Sequence, residues 1–226
     1  MKKSKKNKNV IWNFLKNIFK SSKKHSINND FSQENDFQWH DIGKDNPFNK
    51  RFLDVRSFTQ TMLSTTSDEN IARKYLELRN SMGKEYIGSL IENETDATAN
   101  LNYNHNGEQL EGAVFKSNSM ECKWDIYAYN NFFYFVRSWT GIVEYKAKFA
   151  IYSDKLVINR VYYNREINKT NAMNDIHFLM KSHAIGIMFP HQIPKDLTNK
   201  EDIAFYSFSR FGNIACFATY DDLLNI

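Results

Sequence analysis

Apolar and polar positions alternate most strongly in the middle of the chain, from Glu121 to Asn164. Aromatic and β-branched residues crowd four runs there: Cys122–Tyr129, Phe132–Trp139, Ile142–Tyr152 and Lys155–Tyr163. Such residues suit a pleated, half-buried surface. Asn130-Asn131, Thr140-Gly141 and Ser153-Asp154 separate the runs with residues that tolerate turn geometry. The spacing predicts an antiparallel β-meander at the centre of an α+β fold, with two or three helices covering it.

With two-residue loops throughout, Tyr129 faces Phe132, Trp139 faces Ile142 and Tyr152 faces Lys155. A bulge at Gly141 would shift this register. Alternation then gathers Tyr127, Tyr129, Phe132, Tyr134, Val136, Val143, Tyr145, Phe149, Leu156 and Ile158 on the expected core face. The opposite face carries Trp124, Ile126, Phe133, Phe135 and Trp139, mixed with Arg137, Glu144, Lys146 and Lys148.

Helical signals flank the meander. Thr66 and Glu69 have the spacing of a capping box, opening a helix that runs to about Met82. Ile71, Tyr75, Leu78 and Met82 form its apolar stripe. Arg73, Lys74, Glu77 and Arg79 read as its solvated face, and Gly83 as a C-cap. Thr170 or Asn171 caps a second helix, from about Ala172 to Met188. The two are expected to cover one face of the sheet. Thr198 and Glu201 open a short helix over Lys200–Phe208, and Gly212 turns the chain into a last strand, Ile214–Thr219. Residues 84–112 are polar and read mostly as loop, with a turn at Asn106-Gly107.

The first 24 residues have a different pattern. Val10, Ile11, Phe14, Leu15, Ile18 and Phe19 fall within one half of a helical wheel, with Asn13, Lys16, Asn17 and Lys20 opposite. The segment reads as a basic amphipathic helix. It is a poor signal peptide, because polar residues break the apolar run and no small-residue cleavage site follows. The chain thus divides into a basic tail (1–25), a polar linker (26–46) and a single α+β domain (47–226).

Charge sharpens that division. The net charge is +4, yet residues 1–25 hold nine of the 30 basic residues and no acid. The remainder has 21 basic residues against 26 acidic ones, a net of −5. Nucleic acid is therefore not an expected partner of the domain. Lysines beside an apolar stripe suit an anionic membrane surface, with Trp12, Phe14, Lys16, Phe19 and Lys20 as the contact residues. No run of 18 apolar residues exists to span a membrane. The two cysteines, Cys122 and Cys216, form no CxxC motif and fit a reduced compartment. The expected location is cytoplasmic, with the tail peripheral at the inner face of the membrane of a bacterial cell.

Candidate chemistry is sparse. There is no GxSxG elbow and no Gly-rich phosphate loop. His177 and His183 lie six apart, about 240° round a helix, so they do not share a metal-binding face. His191 sits in a proline-bounded loop, and His40-Asp41 reads as a loop rather than an acid/base pair. Glu92, Glu94 and Asp96 lack the glycine and closing glutamate of a calcium loop. By alternation Glu121, Lys123 and Asp125 share a face, as a solvated ladder before a catalytic pair. No metal or cofactor is expected.

Arg137 is the most informative charged position. It is expected opposite Trp124 on one side and Glu144 on the other. That arrangement reads as a cross-strand ion pair stacked on indole, or as an anion- or partner-binding arginine in an aromatic patch. Trp124, Arg137, Trp139 and Glu144 are the candidate binding residues. The expected function is a non-catalytic binding module, inhibitor- or immunity-like, that holds a protein partner. The alternative is a small hydrolase or metal-dependent enzyme using His177, His183, Cys122 or the Glu121/Asp125 face.

Overall fold

The computed structural model describes residues 37–44 and 46–224. The amphipathic tail, with Trp12, Phe14, Lys16, Phe19 and Lys20, lies outside the described residues, as does the first part of the expected linker. The fold is α+β. Its main sheet has six antiparallel strands: β3 (Glu94–Asn104), β4 (Gly112–Phe115), β5 (Trp124–Tyr129), β6 (Phe132–Arg137), β7 (Val143–Ile151) and β8 (Lys155–Asn164), in the order β3-β8-β7-β6-β5-β4. The meander is thus observed, extended by a strand at each edge. Its first hairpin is as expected: Tyr129 pairs with Phe132 across Asn130 and Asn131, whose φ values of 53° and 61° are those of a tight primed turn. At the last hairpin the Tyr152 amide donates to the Lys155 carbonyl at 2.8 Å.

The middle connection departs from expectation and changes which face is the core. The Arg137 amide donates to the Ile142 carbonyl (2.8 Å) and the Gly141 amide to the Arg137 carbonyl (2.8 Å), so residues 138–141 form a wider loop. Trp139 therefore does not face Ile142. Between Phe135 and Val136 the pairing with β7 then shifts from Tyr145 to Val143, leaving Glu144 as an extra residue. One extra residue reverses every later alternation on that strand. A second shift separates the pairs Lys148–Arg160 and Phe149–Ile158.

The main core consequently unites Trp124, Ile126, Phe133 and Phe135 with Tyr145, Phe149, Leu156 and Ile158. This corrects the expected face assignment. Tyr127, Tyr129, Tyr134, Val136 and Val143 form a smaller cluster on the opposite face, with Tyr86 and Ile91.

The described residues form four α-helices: α1 (Arg56–Thr59), α2 (Glu69–Asn80), α3 (Lys169–Leu179) and α4 (Lys200–Phe211). The starts of α2, α3 and α4 are set by local side-chain caps. The Asp68 carboxylate accepts the Asn70 amide, Asn168 the Thr170 amide and Asn199 the Asp202 amide. Each cap lies one to three residues from the expected one, because the short acids and amides reach the first-turn N–H groups. A π-helical turn over Met180–Ala184 ends the α3 region.

The helices do not cover one face as expected. Met173, Ile176, Phe178 and Leu179 of α3 pack into the main core. The end of α2 instead meets the Tyr127 face, where Lys116 Nζ donates to both the Leu78 carbonyl (2.7 Å) and the Tyr127 hydroxyl (2.7 Å). Arg79, expected to be solvated, donates to the buried Asp125 at 2.8 Å.

A second, four-stranded sheet joins the expected last strand to three segments that were not expected as strands. Its order is β1 (Trp39–His40), β2 (Phe52–Asp54), β10 (Phe217–Thr219) and β9 (Pro190–Gln192), with β9 and β10 parallel. Phe37 and residues 39–40 are thus folded in rather than linking. Helix α4 joins the two sheets: Ile203 and Ala204 pack with Leu53, Val55 and Ala218, while Phe211 enters the main core. No helix among the described residues is long and apolar enough to cross a membrane.

Gly212 closes α4 onto the sheet with φ 76°, and a Cβ there would lie 2.0 Å from the Glu121 carbonyl oxygen. Gly88 has φ 78° but open space around it. Gly88→Ala is expected to cost about 1–2 kcal/mol of unfolding free energy, the price of the left-handed conformation alone. Gly212→Ala should cost more than about 3 kcal/mol. Urea denaturation measures both, and equal costs would show that the close approach at Gly212 is not enforced.

Candidate functional site

Where β5, β6 and β7 meet the end of α4, the wider loop and the Glu144 bulge bring charge to the core side of the sheet. The Arg137 guanidinium lies 4.7 Å from the Trp124 ring centroid, as the strand pairing led one to expect. Its Nε is 3.4 Å from Glu144 Oε1. Its remaining donors go to the last carbonyls of α4, Arg210 (2.7 Å) and Ser209 (3.1 Å). A cation at a helix C-terminus satisfies orphan carbonyls and complements the helix dipole. Trp124 Nε1 donates to the same Arg210 carbonyl at 2.7 Å.

Arg210 turns back into this group from α4. It donates to Glu144 Oε2 (2.6 Å) and, through Nε and NH2, to Asp175 Oδ2 (3.2 and 2.8 Å). It also donates to the Tyr145 hydroxyl at 2.5 Å, which itself donates to Asp175 Oδ2 at 2.7 Å. Two guanidinium groups and two carboxylates thus balance in one network that ties β6, β7, α3 and α4 together. Burial alone would raise the Glu144 carboxyl, but Arg210 and Arg137 hold it below the ordinary glutamate range. Burial lowers Arg137, and Glu144 offsets part of that. Burial drives the Tyr145 phenol well above its usual value, so it remains a donor.

Asp175, Arg210 and Tyr145 were not among the expected site residues. Asp175 sits between Met173 and Ile176 on a buried helix face, a placement that an unpaired acid does not tolerate. That was the available signal. Trp139 takes no part in the network: its Nε1 donates to the Met120 carbonyl (2.8 Å), and Lys123 Nζ lies 4.3 Å from its ring.

Beside the network a cleft of about 220 Å³ opens between α3, α4 and the segment following β9. Tyr145, Asp175, Arg210, Tyr206, Asn171 and Gln192 supply its polar lining, and Ile167, Ile193 and Pro194 its apolar wall.

The alternative catalytic set is not assembled. His177 Nδ1 bonds the Tyr103 hydroxyl (2.9 Å), His183 Nδ1 the Ser182 hydroxyl (2.7 Å) and His191 Nε2 the Ser207 hydroxyl (2.9 Å), each in its own buried setting. Burial lowers His177 and His191 to about 4 and His183 to about 3, so all three are neutral at pH 7. Burial raises the Cys122 thiol to about 11, and Cys122 and Cys216 are both free and buried.

Asp125 is committed to Arg79 (2.8 Å), to Lys116 (3.5 Å) and to the Ser117 amide (2.7 Å). Glu121 instead accepts the Ser64 amide at 3.0 Å, so the two acids are held by different partners. Glu94 pairs with Lys146 (2.7 Å) and Asp96 with Arg160 (3.0 Å), which commits two of the three carboxylates of the would-be calcium loop. Among the described residues no group of three or more His, Cys, Asp or Glu is placed to hold a metal ion.

One pair of chemical interest was not anticipated. Lys123 Nζ lies 2.6 Å from Ser64 Oγ, and burial lowers its amine to about 7. However, the Ser64 amide is already taken by Glu121 Oε1. A carboxylate therefore stands beside a serine whose acyl chemistry would need donors for an oxyanion. No family model, curated protein or solved structure matches the chain. What it does is therefore read from its own geometry.

Two predictions test this description. Glu144→Gln removes the anion between two half-buried guanidinium groups, whose side chains are each 21% exposed. It should cost about 1–3 kcal/mol in urea denaturation, below the usual cost of breaking a fully buried pair because water reaches these groups. With Arg137→Met added, the total should fall short of the sum of the single costs. Additive costs would mean the groups do not interact.

The histidines set an acid limit. Their folded values lie below 6.5, so the unfolded chain binds protons first, and the stability they contribute is lost as pH falls from about 6.5 towards 4. The melting temperature should decline through that window, and less steeply in His183→Phe. A flat profile from pH 7 to 4 would contradict the buried neutral state.

Proposed function

We propose that the chain is a binding module that docks a protein partner on the Tyr127 side of the main sheet, in the manner of an inhibitor or immunity protein. One observation carries this reading. Met82, Ile87, Leu90 and Ile142 stand 44–81% exposed on segments that lie side by side. Their adjacency follows from their neighbours. The Met82 carbonyl accepts the Tyr129 hydroxyl, the Ser89 carbonyl accepts Lys146 Nζ, and a Cβ on Gly141 would lie 3.2 Å from the Tyr86 hydroxyl. Large apolar side chains grouped on a surface mark interaction sites more often than isolated ones do. The residues beyond 25 carry a net charge of −5, which favours a partner with a basic rim around an apolar centre.

The tail adds a second part to the proposal. Residues 1–24 bring the module to an anionic membrane surface, each lysine near the surface contributing about 1 kcal/mol. The apolar stripe through Phe14 and Phe19 adds burial at the headgroup boundary. Residence at the cytoplasmic leaflet follows from that attraction.

Both parts are testable. The full chain as bait in its native cells should recover a stoichiometric partner, and Leu90→Asp with Ile142→Asp should abolish recovery at unchanged melting temperature. No such partner, or recovery indifferent to these substitutions, would overturn the docking proposal. For the tail, vesicles rich in phosphatidylserine should sediment the full chain and not a chain starting at Ser26, while neutral vesicles sediment neither. Equal sedimentation of both chains would end it.

A further inference from the structure

The cleft beside the ion network has a chemistry that goes beyond the docking proposal and does not depend on it. We infer that the cleft between α3, α4 and β9 binds a neutral, hydroxyl-rich ring of monosaccharide size.

The inference starts from valences. Arg210 has five N–H groups. Nε and one NH2 hydrogen go to Asp175, the other NH2 hydrogen to Tyr145, and one NH1 hydrogen to Glu144. A single N–H remains, so Arg210 offers no two-pronged face to a carboxylate or phosphate. Its charge and that of Arg137 are matched by Glu144 and Asp175, so the site has no net charge with which to hold an ion of either sign. An anion would meet Asp175, and a cation would meet Arg210.

What remains unspent is polar but neutral in character. Asp175 is only 8% exposed, and its Oδ2 takes three donors, while Oδ1 has no partner among the described residues. A carboxylate oxygen that has no protein partner and lines a cavity is free to accept from a donor outside the protein. The Tyr206 hydroxyl and the side-chain amides of Asn171 and Gln192 also line the cleft without partners among the described residues. Burial raises the Tyr206 phenol, which keeps its proton available to donate. One acceptor, one hydroxyl and two amides match a ligand whose every polar group both donates and accepts, as alcohols do.

Size and wall complete the match. A volume of about 220 Å³ holds roughly seven waters at about 30 Å³ each. That lies below the roughly 300–1,000 Å³ of sites for larger ligands, and suits one six-membered ring with its hydroxyls. The ring of Tyr206, with Ile167 and Pro194, can cover the C–H face of such a ring.

The test uses the full chain with D-glucose, D-galactose and myo-inositol in saturation-transfer NMR and thermal shift. Methyl β-D-glucopyranoside separates a free sugar from a glycan terminus: recognition of a terminus tolerates the methyl group, and recognition of the free sugar at its anomeric hydroxyl does not. Acetate and tetramethylammonium report anion or cation binding. At least one hydroxyl-rich probe should bind in the millimolar range. Tyr206→Phe and Asn171→Ala, each removing one hydrogen bond from groups that brace nothing, should weaken it about fivefold each at unchanged melting temperature. Saturable binding of acetate or tetramethylammonium in place of the polyols would overturn the inference. So would silence from every hydroxyl-rich probe at tens of millimolar, or polyol binding indifferent to both variants.

Discussion

Glu144 lying between Arg137 and Arg210, beneath the face of Trp124, is the constraint on which the rest of the molecule depends. Without the extra residue that Glu144 makes in β7, its carboxylate would not share a side of the sheet with Tyr145. Arg137 holds the end of α4 through its carbonyls, and Arg210 carries that hold to Asp175 on α3. A sheet and two helices are thus locked by a neutral set of four charges. Such a set contributes less net stability than an apolar core of the same volume, but it leaves one arrangement in which every charge is matched. Specificity of packing is its structural consequence, and an unspent Asp175 oxygen beside the cleft is its functional one.

The interior around this lock is aromatic. Trp124 stacks on Tyr145 at 6.0 Å between centroids, and Phe133 packs on Phe149 at 4.4 Å. The three buried histidines belong to this interior and are spent as neutral hydrogen-bonding rings. The second sheet is tied to the first by α4, whose two ends enter different clusters of apolar residues. Any change at the end of α4 is therefore felt by both sheets.

Local features were legible in the sequence, and features that depend on pairing at a distance were not. The hairpin at Asn130-Asn131, the four central strands and the existence of α2, α3 and α4 follow from turn chemistry and periodicity within a few residues. The core face did not, because the extra residue at Glu144 is defined only against its partner strand, and one residue reverses the alternation. Strand β3 was hidden because it is an edge strand whose outward positions are Thr and Asn, which resemble a loop in composition. Arg79 read as solvated because its partner Asp125 is 46 residues away. In the candidate site, Trp124, Arg137 and Glu144 were legible from cross-strand spacing. Asp175 and Arg210 were not, since they lie 35 residues apart on different helices.

The central claim is that Glu144 couples α4 and α3 to the sheet. Hydrogen exchange read by mass spectrometry, comparing the native chain with Glu144→Gln, tests it most directly. The account predicts that protection falls together in 169–179 and 200–211, while the β5–β6 hairpin keeps its protection. Loss confined to the strand around residue 144, or an equal loss across the whole chain, would contradict it.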